Sequence, residues 1–158
     1  MEMAEVEITE FAYRLEDVGQ SHGHQVYSPG DVLEPPGFVL TIRTRDGLEG
    51  HYRGFSFVKP MLAGIEMAAP EFLLDRNPLE REGIWNDLWT GFRHTDHLGM
   101  GPIDVALWDL AGKHYGASVA ELLGGYRDSL PTYASTYFVD DEPDGLSDPD
   151  AFAEYAED

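Results

Sequence analysis

Two histidine pairs, one polar loop and one arginine are the residues of this chain whose types and spacing bear on chemistry. The pairs are His22-x-His24 and His94-x-x-His97. A zinc site takes four ligands, or three and a water. Each pair offers two and the chain has no cysteine, so neither pair makes a zinc site by itself. The stretch 18–30 reads Val-Gly-Gln-Ser-His-Gly-His-Gln-Val-Tyr-Ser-Pro-Gly. Gln20, Ser21, His22, His24, Gln25 and Tyr27 crowd it with hydrogen-bonding groups, which suits a polar, hydroxylated or carboxylated small molecule. A solvated surface loop has the same composition. Arg53, with Ser56 and Lys59 following, brings a guanidinium that matches a carboxylate through two parallel hydrogen bonds. Asp140, Asp141, Glu142 and Asp144 sit in a Pro- and Gly-containing segment. A hard cation needs converging oxygens, and these carboxylates read as a solvated loop.

The elements that must position these groups follow from periodicity. Residues 4–14 alternate as a half-buried strand, 37–45 form a second strand, and Asp46-Gly47 turns the chain into a third from Leu48 to Phe55. Residues 16–36 read as a long irregular loop, broken by Gly19, Gly23, Pro29, Gly30, Pro35 and Pro36. Helical spacing starts after Pro60 and is interrupted at Pro70. Asn77-Pro78 predicts the start of another helix, with Asn77 as cap and Ile84, Trp85, Leu88, Trp89 and Phe92 at helical spacing. Trp85, Trp89, Phe92 and Trp108 are expected in the core. A third helix opens at Gly101-Pro102, with Ile103, Ala106, Leu107, Leu110 and Ala111 on one face. Asp104 is placed in its first turn, where the helix dipole favours an anion, and Lys113 near its end, where a cation is favoured. Ser118 caps a short helix over 119–123 that Gly124-Gly125 ends. Residues 130–139 read as a strand, and Asp148-Pro149 starts a last helix carrying Phe152 and Tyr155.

The composition is that of a folded domain, with no apolar run long enough to span a bilayer. Asp and Glu total 30 against 10 Lys and Arg, a formal charge of −20. Nucleic acid and anionic membranes are therefore excluded as expected partners, since phosphate binding needs a basic surface. Only Lys59 and Lys113 are lysines. An acidic, lysine-poor folded chain without cysteine predicts a cytoplasmic protein of a halophile.

The segment Gly99 to Gly124 is similar to the first signature of the mandelate racemase / muconate-lactonizing family of the enolase superfamily. The matching residues are Ile103-Asp104, Ala106-Leu107-Trp108-Asp109, Gly112-Lys113, Ser118-Val119 and Leu122-Leu123-Gly124; Gly99 and Pro102 depart from it. The resemblance implies an α+β fold: a three-stranded antiparallel meander followed by a helical bundle over residues 1–125, then the first strand and partial helix of a truncated (β/α) barrel over 126–158. It implies that the signature is structural, docking the cap against the barrel, so that Asp104, Asp109 and Lys113 are not catalytic. It implies that the loop 18–30 folds over the barrel mouth, making Gln20, Ser21, His22, His24 and Tyr27 substrate-binding candidates together with Arg53. The family's Gly-Glu pair near that position is Arg53-Gly54 here. Further, it implies a lyase or isomerase using magnesium to abstract the proton alpha to a carboxylate, held by barrel residues outside this sequence. No lysine follows Lys113, so the family's barrel lysine pair is not here and the chain alone is expected to be inactive. An acid-sugar dehydratase is preferred for its polar loop, with racemase or cycloisomerase as alternative. The expected partners are a small carboxylate or acid-sugar substrate, a missing barrel segment or second polypeptide, and other copies in a homo-oligomer when complete. A split-gene cap serving as a folded or binding module is the non-catalytic alternative. The strand 130–139 is expected to pair with neighbouring barrel strands and, without them, to leave 130–158 short of partners.

The charge carries a direct consequence. At molar salt the screening length falls to about 3 Å, which relieves self-repulsion in a compact acidic chain. The thermal midpoint is expected to climb steeply across a potassium chloride series; a midpoint flat from low to molar salt would remove the halophile reading.

Overall fold

The computed structural model describes residues 1–16, 20–22, 26–27, 30–55, 57–132, 138–139, 146 and 148–157. They fall into two compact units, one of Met1–Ala12 with Pro36–Asp128, the other of Tyr13–Pro35 with Ser129–Asp158.

The first unit is built on an antiparallel sheet. Strand β1 spans Met3–Ala12. After short strands belonging to the other unit come β6, Pro36–Thr44, and β7, Glu49–Gly54. β6 lies between β1 and β7, the meander expected of the sequence. Alternation in β6 sends Phe38, Leu40 and Ile42 into the core, each fully buried. The β6–β7 turn closes where Gly47 takes a left-handed φ of 87° and Thr44 Oγ1 accepts from the Leu48 amide at 3.0 Å.

Helices cover one face of this sheet. α1, Val58–Ala68, runs into a π-helical turn, Ala69–Leu73, that absorbs Pro70. The next helix, α2, spans Arg81–Gly91 and starts three residues later than Asn77-Pro78 suggests. Asn77 is spent on a local turn: its Oδ1 accepts from the Leu79 amide at 3.1 Å, and its carbonyl from Glu80. α3, Met100–Tyr115, buries Ile103, Ala106, Leu107, Leu110 and Ala111, the predicted face. α4, Val119–Leu122, begins at a reciprocal cap: Ser118 and Glu121 bond each other's backbone amides.

The aromatic expectation divides. Ile84, Leu88 and Phe92 sit at i, i+4, i+8 and face inward, with Phe92 only 2% exposed. Trp85 and Trp89 follow one position later, about 100° round the helix. They remain 42% and 49% exposed and stack on each other with ring centroids 5.0 Å apart.

The second unit corrects two expectations. Residues 16–36 are not wholly irregular: β2, Leu15–Glu16, pairs with β5, Val32–Leu33, and β3, Gln20–His22, pairs with β4, Val26–Tyr27. Nor is 130–139 described as one strand. Residues 130–132 belong to no helix or strand, 133–137 lie outside the described residues, and among the described residues of this stretch only β8, Phe138–Val139, is a strand. Its partner is β3 rather than a barrel strand, with Gln20 opposite Val139 and Ser21 opposite Phe138. The last helix, α5, Pro149–Glu157, starts where predicted, with Asp148 Oδ1 accepting from the Asp150 and Ala151 amides at 3.0 Å.

Two close approaches set the first unit's geometry. A Cβ at Gly50 of β7 would lie 2.1 Å from the Ala106 carbonyl oxygen of α3 and 2.7 Å from Leu110 Cβ. A Cβ at Gly64 of α1 would lie 2.0 Å from the Leu98 carbonyl oxygen. Gly50→Ala is therefore expected to force α3 off the sheet and destabilise the chain by about 1–3 kcal/mol, as overpacking does. An unchanged denaturation midpoint for this variant would show that the approach is not needed.

Candidate functional site

The signature helix is a structural clamp at its C-terminal half. Asp109 Oδ2 accepts the His51 amide at 2.8 Å and the Lys113 ammonium at 2.6 Å, and Lys113 also donates to the Glu49 carbonyl at 3.0 Å. These bonds satisfy backbone groups along β7, the edge strand of its sheet. Asp109 and Lys113 are thus spent on joining α3 to β7, in keeping with a structural role, and the contact they make lies within the cap.

Asp104 departs from expectation. α3 begins at Met100, so Asp104 is its fifth residue and lies beyond the first turn. Burial pushes its carboxyl above the ordinary range, against the pull of Arg81. It shares a cleft between α2 and α3 with Arg81, Glu82, Trp85 and Trp108. Arg81 lays its guanidinium over Trp108, with Cζ 3.4 Å from the ring centroid.

The substrate candidates are distributed between the units. Arg53, in β7, stands 5.6 Å from the centroid of the Phe11 ring and is exposed. Gln20, Ser21 and His22 form β3, and Tyr27 ends β4; the register sets Ser21 opposite Tyr27 and His22 opposite Val26. The chain therefore folds this polar loop as a small hairpin. His24, Gln25 and Ser56 lie outside the described residues, as do Asp140, Asp141, Glu142 and Asp144.

One feature near Arg53 escaped the sequence reading. Phe55 and Phe57 are 66% and 76% exposed, and Phe57 holds a left-handed φ of 51° as it leads into α1. Strained non-glycine backbone collects at binding segments. The spacing Phe-x-Phe just ahead of Lys59-Pro60 was the available signal.

His24 of the first histidine pair lies outside the described residues, and the second pair is engaged in other contacts. His94 accepts from Arg93 Nε at 3.0 Å, while His97 stacks on Trp89 with centroids 3.8 Å apart. Among the described residues no three His, Cys, Asp or Glu side chains converge. Magnesium, which takes oxygen ligands in near-octahedral array, has no donor set among them.

The family model described as "Mandelate racemase / muconate lactonizing enzyme, N-terminal domain" matches residues 12–124. The chain belongs to this family. It is 35% identical over 116 residues to the D-galactarolactone cycloisomerase of Agrobacterium fabrum, covering 70% of this chain and 30% of that protein. It is 39% identical over 105 residues to the L-talarate/galactarate dehydratase of Salmonella typhimurium, covering 60% and 26%. A crystal structure of D-glucarate dehydratase from Agrobacterium tumefaciens, complexed with magnesium, superposes with a TM-score of 0.76 at 31% identity, over 99% of this chain and 41% of that one. The chain thus spans less than a third of those two relatives and under half of the solved enzyme. Its α+β fold is that of the enolase-type capping domain. No helix of the described residues is long and apolar enough to cross a membrane.

Asp104 yields a pH test. A carboxyl whose pKa is raised in the folded state binds its proton more tightly there than in the unfolded chain. Ionisation therefore lowers stability as pH rises through and above the ordinary carboxylate range. Asp104→Asn is expected to be neutral or stabilising at pH 7, with its advantage vanishing below about pH 3.8, the ordinary value. A variant clearly less stable than the parent at pH 7 would mean that the ionised carboxylate is held favourably.

Proposed function

We propose that this chain is the capping, substrate-recognising portion of a magnesium-dependent enzyme that removes the proton alpha to the carboxylate of an acid sugar, dehydration being the outcome. The observation that carries this reading is the match to the magnesium-complexed glucarate dehydratase across 99% of the chain. The talarate/galactarate dehydratase relative supports it. The galactarolactone cycloisomerase supports cycloisomerisation as a second reading. Racemisation is the family's other outcome.

The chemistry asks for a base at the alpha carbon and positive charge beside the carboxylate, where negative charge develops as the proton leaves. In a dehydration the electron pair then expels the beta hydroxyl, which leaves as water on taking a proton from a general acid of the barrel. In this proposal both the base and the magnesium ligands belong to barrel residues outside this sequence, at the C-terminal ends of barrel strands. The cap's own part is recognition. Gln20, Ser21, His22, His24 and Tyr27 would hydrogen-bond the sugar hydroxyls, and Arg53 would receive a carboxylate; Phe55 and Phe57 would exclude water beside it. The cap is proposed to work with a barrel segment, in the same or a second polypeptide, in a cytoplasmic homo-oligomer.

Two measurements test this. The 158-residue chain alone is expected to show no turnover and no magnesium site in calorimetry at high salt; a stoichiometric micromolar site would overturn the assignment of the metal to the barrel. In the barrel-complemented enzyme working in heavy water, deuterium from the solvent should enter the former beta carbon of the 2-keto product, followed by NMR. Alanine at His22, His24 or Tyr27 should lower kcat/KM about tenfold or more, which is about 1.4 kcal/mol, without shifting the cap's melting. Wild-type kinetics for all three variants would remove the loop from recognition.

A further inference from the structure

The cleft between α2 and α3 is not used by that proposal, and its contents are unusual for a surface hollow. About 270 Å³ is lined by two indoles, Trp85 and Trp108, two carboxylates, Glu82 and Asp104, and one guanidinium, Arg81. Arg81 Nε and Nη1 are buried and have no hydrogen-bond partner among the described residues. Each such group in a folded protein calls for an occupant of the space beside it. No ion pair joins Arg81 to Glu82 or Asp104, although Arg81 is near enough to act on Asp104 electrostatically.

Charge narrows the occupant by elimination. An anion would meet Arg81 but also two carboxylates, one of them already desolvated. A cation would meet a guanidinium that already occupies the face of Trp108. An apolar molecule would leave three charged groups without water. A neutral molecule carrying several hydroxyls meets every wall. Its oxygens accept from Arg81, its O–H groups donate to Glu82 and Asp104, and its C–H face, slightly positive, lies on the negative face of an indole. Trp85 is held for this by its stack on Trp89, itself stacked on His97. We propose that this cleft is a binding site for a neutral polyhydroxy ligand of pyranoside or polyol type, separate from the residues assigned to acid-sugar recognition. It is of a size for a single sugar ring, and its affinity is set by one stacking face and a few hydrogen bonds.

The test is a titration of the 158-residue chain, at fixed molar salt, followed through the indole N–H signals of Trp85, Trp89 and Trp108 in 15N NMR. The probes are methyl glucopyranoside, with glucarate and choline as anionic and cationic controls. Methyl glucopyranoside is expected to shift the Trp85 and Trp108 signals saturably, with a Kd on the order of 10 mM for so few contacts. Arg81→Ala and Trp85→Ala should each weaken binding at least about fivefold. Glu82→Gln, on an exposed position, should weaken it too and guards against a variant that fails to fold. No saturable shift at the highest soluble pyranoside concentration would overturn the proposal, and show a cleft filled by water. So would an affinity unchanged in all three variants, or tighter binding of glucarate or choline than of the neutral sugar.

Discussion

The first unit depends on one steric fact: at Gly50 there is no side chain between β7 and α3. A methyl group there would stand 2.1 Å from a backbone oxygen of α3. Because that space is free, the helix lies directly on the sheet and its small residues, Ala106 and Ala111, are fully buried. The same approach brings Asp109 within reach of the His51 amide and Lys113 within reach of the Glu49 carbonyl. Close packing and the polar clamp are therefore one feature. Without the approach the clamp has no partners, and without the clamp the edge strand loses the partners of its His51 amide and its Glu49 carbonyl. The second approach, Gly64 of α1 against the Leu98 carbonyl, seats α1 on the segment that leads into α3.

A chain with ten cationic side chains and thirty acidic ones has few counter-charges to place, and the structure places several at joints between elements. Arg43 of β6 reaches Glu5 and Glu7 of β1 and Glu49 of β7, tying the three strands together across one sheet surface. Its hydrogen bond to Glu49 does most to hold that carboxyl below its ordinary range. Arg45 bridges Glu2 and Asp75, and Arg76 bridges Asp87 and the Phe72 carbonyl. These pairs are solvent-exposed in part, and each is worth little alone. Their value is geometric: Arg43 with Glu5 and Glu7, and Arg45 with Glu2 and Asp75, link segments 30 or more residues apart where unrelieved acidic charge would otherwise push them apart.

The sequence disclosed most where local chemistry and packing agree. The Asp46-Gly47 turn, the alternation of β6, the buried face of α3 and the Ser118 cap each follow from residues a few positions apart. It misled where a local signal had two uses. Asn77 is an excellent cap, yet its side chain closes a turn and α2 starts at Arg81. Helical spacing grouped Trp85 and Trp89 with Ile84 and Leu88, but adjacent positions on a helix point 100° apart, and only one pair can face the core. Asp104 counted as a first-turn anion only if α3 began at Gly101. The β3–β8 pairing joins residues more than a hundred apart, and no local pattern encodes it. Of the substrate candidates, the polar character of 20–27 was legible and its hairpin was not; beside Arg53, Phe55 was read as a strand's end and Phe57 was not singled out.

The same contrast separates stability from recognition in this family member. The core draws on β1, β6, β7, α1, α2 and α3, whose contacts are long runs of register or fully buried side chains. The polar loop residues sit instead on ladders of two register pairs each, β3 with β4 and β3 with β8. They belong to a three-stranded sheet whose pairings are short, unlike the long register of β1 with β6. In the proposed reading, a substitution at Gln20 or His22 would change what the loop binds while leaving the clamp at Asp109 and Lys113 untouched. One capping architecture can in this way carry different substrate loops, because the bonds that hold the cap together and the groups that would read the substrate share no residues.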